Sequence, residues 1–143
     1  DGSGIYAYLK DGQYKSSGSS FTEGIGIMRS VENFRKAKID HAITLPDQDL
    51  VTISRHISQH DGILLGSSSA LNVAGALCAA AKMGKGKTIV TFCCDLAERS
   101  YSKLYDAEFL QQREIKLNNE SLQAMCQRYQ ADDPNNIVNV ATP

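Results

Sequence analysis

The sequence lacks a surplus of charge of either sign: fifteen basic residues face sixteen acidic ones, for a net charge of −1. That excludes a strong electrostatic grip on nucleic acid, which needs clustered Lys and Arg. It also lacks any apolar run near the roughly 18–20 residues needed to cross a bilayer. The opening Asp1-Gly2-Ser3-Gly4 has none of the basic, then apolar, then small-residue order of a secretory signal. The four cysteines, Cys78, Cys93, Cys94 and Cys126, form neither a CxxC pair nor a dense disulfide framework. Cys93 and Cys94 would point to opposite faces of a strand, so they read as buried thiols in a reducing compartment. What remains is one domain's length, 143 residues, with 42% apolar and 22% charged residues, the balance of an ordinary folded chain.

The first forty residues are punctuated rather than periodic. Residues 5–10 can form a short helix, and the Gly- and Ser-rich stretch 11–20 reads as an exposed loop. Glu23-Gly24-Ile25-Gly26-Ile27 sets two glycines between β-branched residues, which marks either an ordinary turn or a backbone held close to something else. From His41 the pattern becomes regular. A short strand is expected at 42–45. A helix follows to about His60, capped by Asp47 or Asp49, with Leu50, Ile53 and Ile57 on one face. Ile63-Leu64-Leu65 then reads as a strand covered on both sides. An Ala/Leu-rich helix from Ser67 to Met83, with a serine cap and Gly84 beyond its end, follows. Thr88-Ile89-Val90-Thr91-Phe92-Cys93-Cys94 has the best strand composition in the chain. Strand, helix, strand, helix, strand predicts an α/β fold of parallel βαβ units. Within 111–129, Leu122, Met125, Cys126 and Tyr129 fall at i, i+3, i+4 and i+7, an amphipathic helix. Asp132-Asp133-Pro134-Asn135-Asn136 then breaks the chain before a short apolar tail.

Several motifs fail on inspection. Gly84-Lys85-Gly86-Lys87-Thr88 ends like a phosphate-binding loop, but Ala81 stands where the first glycine belongs. It also joins helix to strand, the reverse of a P-loop, so a basic turn at a helix C-terminus is the better reading. Gly2-Ser3-Gly4-Ile5-Tyr6-Ala7 fits a dinucleotide fingerprint by letter but follows no strand. His56 and His60 are spaced for a metal, but no third ligand joins them. Gly66-Ser67-Ser68-Ser69-Ala70 is different. It follows a buried strand and opens a helix, at the sheet edge where open α/β proteins bind ligands. Three hydroxyls exceed the needs of one cap: either the spare ones face a ligand, or the cap is redundant. Asp95, after the last strand, brings a carboxylate to the same edge.

Taken in order, Glu23-Gly24-Ile25-Gly26, Asp61-Gly62-Ile63-Leu64-Leu65-Gly66-Ser67-Ser68-Ser69-Ala70-Leu71-Asn72, and Lys87-Thr88-Ile89-Val90-Thr91 with Asp95, Arg99 and Ser102 resemble the C-terminal part of the cysteine synthase and cystathionine β-synthase family. The resemblance covers about residues 1–110. It implies a parallel βαβ three-layer sandwich of the tryptophan-synthase-β-like fold, with 111–143 as a helical extension and tail. It also implies pyridoxal 5'-phosphate as cofactor, in a site completed only with the N-terminal half. The family's aldimine-forming lysine lies upstream of the part resembled, so no catalytic residue is expected in this chain. Ser68 matches the serine that meets the pyridine nitrogen. Ser67 and Ser69 then act as cap and support, and Asp95 matches an aspartate near the pyridine edge. Gly24 and Gly26 match the substrate-side loop. The family's usual Ser-Gly after that aspartate is Leu96-Ala97 here.

The activity this implies is cysteine formation from O-acetylserine and sulfide through an aminoacrylate. Cystathionine β-synthase-type replacement and a non-catalytic structural or assembly subunit are the alternatives. A small nucleotide-binding α/β domain using Gly2-Ser3-Gly4 is a further one. The expected partner is the N-terminal half of the same enzyme or a separate complementary chain, with a homodimer of the full unit and no nucleic acid, membrane or metal. A cytoplasmic setting is expected, or a mitochondrial one in a eukaryote.

Overall fold

A computed structural model describes residues 3–16, 18–117, 120–131 and 137–140. The elements follow as α1 (Gly4–Asp11), α2 (Glu32–Lys36), β1 (His41–Ile43), α3 (Asp47–Asp61), α4 (Ser67–Met83), a 3-10 turn (Ala97–Arg99), α5 (Tyr101–Leu104), α6 (Ala107–Gln112), α7 (Leu122–Ala131) and β2 (Ile137–Asn139). They fall into two compact units, one drawn from 1–20, 24–45 and 133–143, the other from 21–23 and 46–132. The breaker at 132–136 and Gly2 of the fingerprint lie outside the described residues.

In the first unit, α1 stops where Gly12 turns left-handed at φ 72° and returns its N–H to the Tyr8 carbonyl, a conformation that favours a residue without Cβ. Tyr8 stacks on Tyr14 with centroids 4.5 Å apart and meets Phe34 of α2 edge-on at 5.8 Å. The strand β1 pairs antiparallel with β2, Ala42 opposite Val138.

The second unit is built on α3 and α4, which pack together and against α7. Phe21, Leu50, Val51, Leu65, Ala70, Leu104 and Leu110 form its core. Leu50 and Ile53 of the expected apolar face are buried, and Ile57 packs at the core margin. The expected aspartate cap is not made. Pro46 takes the cap position of α3 with no side-chain bond. Asp47 Oδ2 instead accepts the Phe21 N–H at 3.2 Å. Asp49 is only 1% exposed and accepts from Arg128 at 2.7 and 3.3 Å and from the Tyr129 hydroxyl at 2.6 Å. Tertiary partners have taken both acids away from the helix end.

Two further expectations change. The amphipathic helix begins later than Gln111: α6 ends at Gln112, Glu114 adopts φ 58°, and the periodic stretch forms α7. Met125 and Tyr129 of α7 are buried. The parallel sheet is not seen among the described residues. Among the described residues 63–65 and 88–94 join no ladder; the one bridge in this region is antiparallel, between Leu65 and Leu96, and Ile63 is 46% exposed rather than covered on both sides. Strand-like composition is not enough: a ladder also needs a second strand in register, and no described segment supplies one. For the same reason Cys93 and Cys94 are exposed rather than buried.

Burial first, and then the bond to Asp49, hold the Tyr129 hydroxyl protonated well above the usual tyrosine range, and burial pushes Tyr105 in the same direction. A proton held more tightly in the folded state gives stability that is complete below the unfolded tyrosine pKa, about 10, and is lost as pH rises beyond it. We expect urea-unfolding stability to fall above pH of about 10 by up to about 1.4 kcal/mol per pH unit through Tyr129, with a smaller share from the more exposed Tyr105. Tyr129→Phe is expected to flatten that decline and to cost about 1–2 kcal/mol at neutral pH through the lost bond to a buried carboxylate.

Candidate functional site

The apolar run 63–65 ends at Gly66, and α4 opens at the next residue. Asp95 is folded back over this turn. The Gly66 N–H donates to the Asp95 carbonyl at 3.1 Å. A Cβ added at Gly66 would lie 2.0 Å from Asp95 Oδ1 and 2.9 Å from the Leu96 carbonyl oxygen. Only glycine fits that approach.

The serine cap expected for α4 is absent: Gly66 holds the cap position and no side chain caps the helix. Each hydroxyl of the trio has a different employment. Ser69, fully buried, donates to the Asp95 carbonyl at 2.7 Å and accepts the Asp95 N–H at 3.1 Å. One hydroxyl thus closes both main-chain groups of a single residue across the turn. Ser67, also buried, sends its N–H to Ser100 Oγ at 3.1 Å, and its own Oγ accepts the Glu23 N–H at 3.4 Å. Ser68 is half-buried, and its hydroxyl makes one long bond, 3.4 Å, to Asp95 Oδ1. The redundant-cap reading is therefore removed. Ser67 and Ser69 fasten the turn, and Ser68 is the hydroxyl left loosely held beside a carboxylate. Ser69→Ala is expected to lower stability by roughly 1–2 kcal/mol, because it leaves the half-buried Asp95 N–H without its partner and takes one of the bonds from the Asp95 carbonyl. Ser68→Ala is expected to change thermal unfolding little.

Around this turn, Lys103 pairs with Glu23 and, with Arg99 adding to it, holds the Glu23 carboxyl below its usual range. The Tyr105 hydroxyl donates to the Leu65 carbonyl at 2.9 Å, tying the end of the apolar run to the segment after α5. Gly66, Ser100 and Tyr105 carry no signal of this role in the sequence. Their partners, Asp95, Ser67 and Leu65, lie 29, 33 and 40 positions away along the chain.

Of the residues singled out in the sequence, Ser67, Ser68 and Asp95 are brought together in the second unit. Gly24 and Gly26 belong to the first unit, at φ 75° and 79°. A Cβ at Gly24 would meet no protein atom within 4 Å, so its need for glycine is conformational. The Gly84–Gly86 segment is a turn leading out of α4, though no strand follows it among the described residues. His56 and His60 stack with ring centroids 4.0 Å apart. Among the described residues no group of three or more His, Cys, Asp and Glu is placed to hold a metal.

A family model described as pyridoxal-phosphate dependent enzyme matches residues 2–95, more than half of the chain. The chain belongs to that family. Its relatives include a cysteine synthase of Dictyostelium discoideum, 36% identical over 127 residues, covering 82% of this chain and 34% of that protein. Cysteine synthase 2 of Schizosaccharomyces pombe is 44% identical over 98 residues, covering 67% of this chain and 25% of that protein. Cysteine synthase 1 of Neurospora crassa is 36% identical over 118 residues, covering 80% and 31%. The chain thus spans about a quarter to a third of the length of these relatives. The family's fold is α/β. Among the described residues, no helix is long and apolar enough to cross a membrane.

Proposed function

We propose that this chain is the C-terminal portion of a pyridoxal-phosphate dependent cysteine synthase, working with the remaining portion of such an enzyme to replace the acetoxy group of O-acetylserine by sulfide. The observation that carries the reading is the turn at Gly66: two buried serines and Asp95 fasten it, and Ser68 is left as a half-buried hydroxyl at the start of α4. That donor set fits a pyridine ring. A hydroxyl is a neutral donor that can turn from Asp95 Oδ1 to a ring-nitrogen lone pair. It cannot stabilise a protonated ring nitrogen as a carboxylate does.

When bound, pyridoxal phosphate supplies an electron sink for bond cleavage next to the substrate's amino-bearing carbon. In this reading Ser68 sets the protonation of the ring nitrogen. Ser67 and Ser69 keep Ser68 in place, and Asp95 orients it. Gly24 and Gly26 form the substrate-side loop. Residues 1–110 then belong to a parallel three-layer sandwich, and 111–143 are an extension of it. The full unit is a homodimer in the cytoplasm, or in the mitochondrion of a eukaryote.

The test mixes this chain with pyridoxal phosphate, the unmatched portion of the Dictyostelium cysteine synthase, O-acetylserine and sulfide, and measures cysteine. Cysteine formation is expected. Loss of one ring hydrogen bond in Ser68→Ala is expected to weaken cofactor affinity by roughly 5–10-fold in a fluorescence titration. A second reading, a non-catalytic assembly subunit, is favoured by Leu96-Ala97 standing where the family usually has Ser-Gly. Ala97 is buried and begins the 3-10 turn. A stable but colourless mixture that makes no cysteine would select it.

A further inference from the structure

The residues just before Gly24, Phe21-Thr22-Glu23, are stitched into the second unit, although the chain on either side of them belongs to the first. Phe21 lies in the core at 5% exposure, meets Phe109 edge-on at 5.7 Å and donates its N–H to Asp47 Oδ2. Glu23 is held twice. Its N–H donates to Ser67 Oγ at 3.4 Å, and its carboxylate pairs with Lys103 of α5. The two holds are joined behind it: the Ser67 N–H donates to Ser100 Oγ at 3.1 Å, and the Lys103 N–H donates to the Ser100 carbonyl at 3.1 Å. Glu23, Ser67, Ser100 and Lys103 thus close a ring, and the fully buried Leu104 roots Lys103 beside it. The bond and charge of Lys103 hold the Glu23 carboxyl below its usual range, so the pair is ionised at neutral pH. As a source of stability it counts for little, since the Lys103 and Glu23 side chains are 36% and 50% exposed. Its place in the chain gives it a use. Gly24 and Gly26 follow at φ 75° and 79°, and residues 24–30 join no helix or strand. Such a segment keeps its direction only as well as its root is held.

We infer that Lys103 is a positioning residue: by holding Glu23 it fixes, at the turn that carries Ser68, the root of the substrate-side loop that starts at Gly24. The inference rests on the reading above that Gly24 and Gly26 face the substrate, and it adds the ion pair that sets where they start. A loop with a loose root spends less of its time in the arrangement that binds. Apparent affinity falls by that fraction, while the step that follows binding is untouched. Loss of the pair therefore raises KM and keeps kcat, a split that a merely structural contact would not produce.

The experiment compares the whole chain with Lys103→Met, Glu23→Gln, Lys103→Arg and the exchanged pair Glu23→Lys with Lys103→Glu. Both side chains reach solvent, so circular dichroism is expected to stay unchanged. In the chain alone, hydrogen exchange at the Glu23 amide is expected to quicken roughly three- to fivefold in Lys103→Met and Glu23→Gln, the scale of an exposed ion pair. The Phe21 amide serves as the unchanged reference. Lys103→Arg and the exchanged pair are expected to restore the slower rate. Mixed with pyridoxal phosphate, sulfide and the unmatched portion of the Dictyostelium cysteine synthase, the two neutral variants are expected to raise KM for O-acetylserine by a similar factor at constant kcat. The other two are expected to recover it. Cysteine formation with a KM that both neutral variants leave unchanged overturns the positioning role and spares the functional reading, whatever the exchange rates do. A raised KM that neither Lys103→Arg nor the exchanged pair recovers overturns it as well, because the charge pair is then not the cause. No cysteine from the unaltered chain in the mixture overturns the functional reading, and the positioning role with it.

Discussion

Replacing Arg128 with alanine is expected to lower the unfolding free energy by about 2–4 kcal/mol, a loss read from urea denaturation followed by circular dichroism. Asp49 is 1% exposed on α3, and Arg128 of α7 approaches it through two nitrogens. Take the guanidinium away and, among the described residues, the carboxylate stays buried with the Tyr129 hydroxyl as its side-chain partner. Stranding a buried charge is what makes such losses large. The figure is placed below that of a fully enclosed pair because 34% of the Arg128 side chain still reaches solvent. Glu120, the other carboxylate on Arg128, is itself 21% exposed, so Glu120→Ala is expected to cost less than about 1 kcal/mol. Equal losses for R128A and E120A would mean that the burial of Asp49 is not what the cluster is balanced against.

Gly66→Ala is expected to cost about 2–3 kcal/mol, against the small gain that alanine usually brings where the backbone allows it. At Gly66 the backbone does allow it, with φ −70° and ψ 164°. Space does not: the added Cβ meets Asp95 Oδ1 and Cγ at 2.0 and 2.6 Å and the Leu96 carbonyl oxygen at 2.9 Å. A carboxylate can swing away more easily than main chain. Asp95→Ala should therefore recover part of the loss, with a coupling of about 1 kcal/mol or more between the two sites, while the Leu96 contact keeps recovery incomplete. Thermal unfolding of the two single variants and the double variant closes the cycle. Full additivity would show that Asp95 does not sit over the turn.

Local sequence carried the helices well. The serine-opened, glycine-closed stretch became α4 from Ser67 to Met83, and the spacing of Leu50, Ile53 and Ile57 anticipated the inner face of α3. Those features depend on near neighbours and on burial of one stripe. Caps were misread because Asp47, Asp49 and the serines of α4 had better partners far along the chain, and distant competition leaves no local trace. Residues 88–94 show the opposite limit: their composition is that of a strand, while pairing depends on neighbours that the described residues do not include. At the site, the serine trio and Asp95 were legible as polar residues at the end of apolar runs. Which hydroxyl fastens and which stays loose was not, since that follows from how Asp95 folds back over Gly66.

The carboxylate on α3 has a consequence for anyone shortening the protein. The family match stops at residue 95, an inviting place to cut, and α6 ends at Gln112, another. Either cut would remove Arg128, the one cation bonded to Asp49 among the described residues, together with Met125 and Tyr129, which α7 buries. A trimmed version should be insoluble or partly melted unless position 49 is made apolar at the same time.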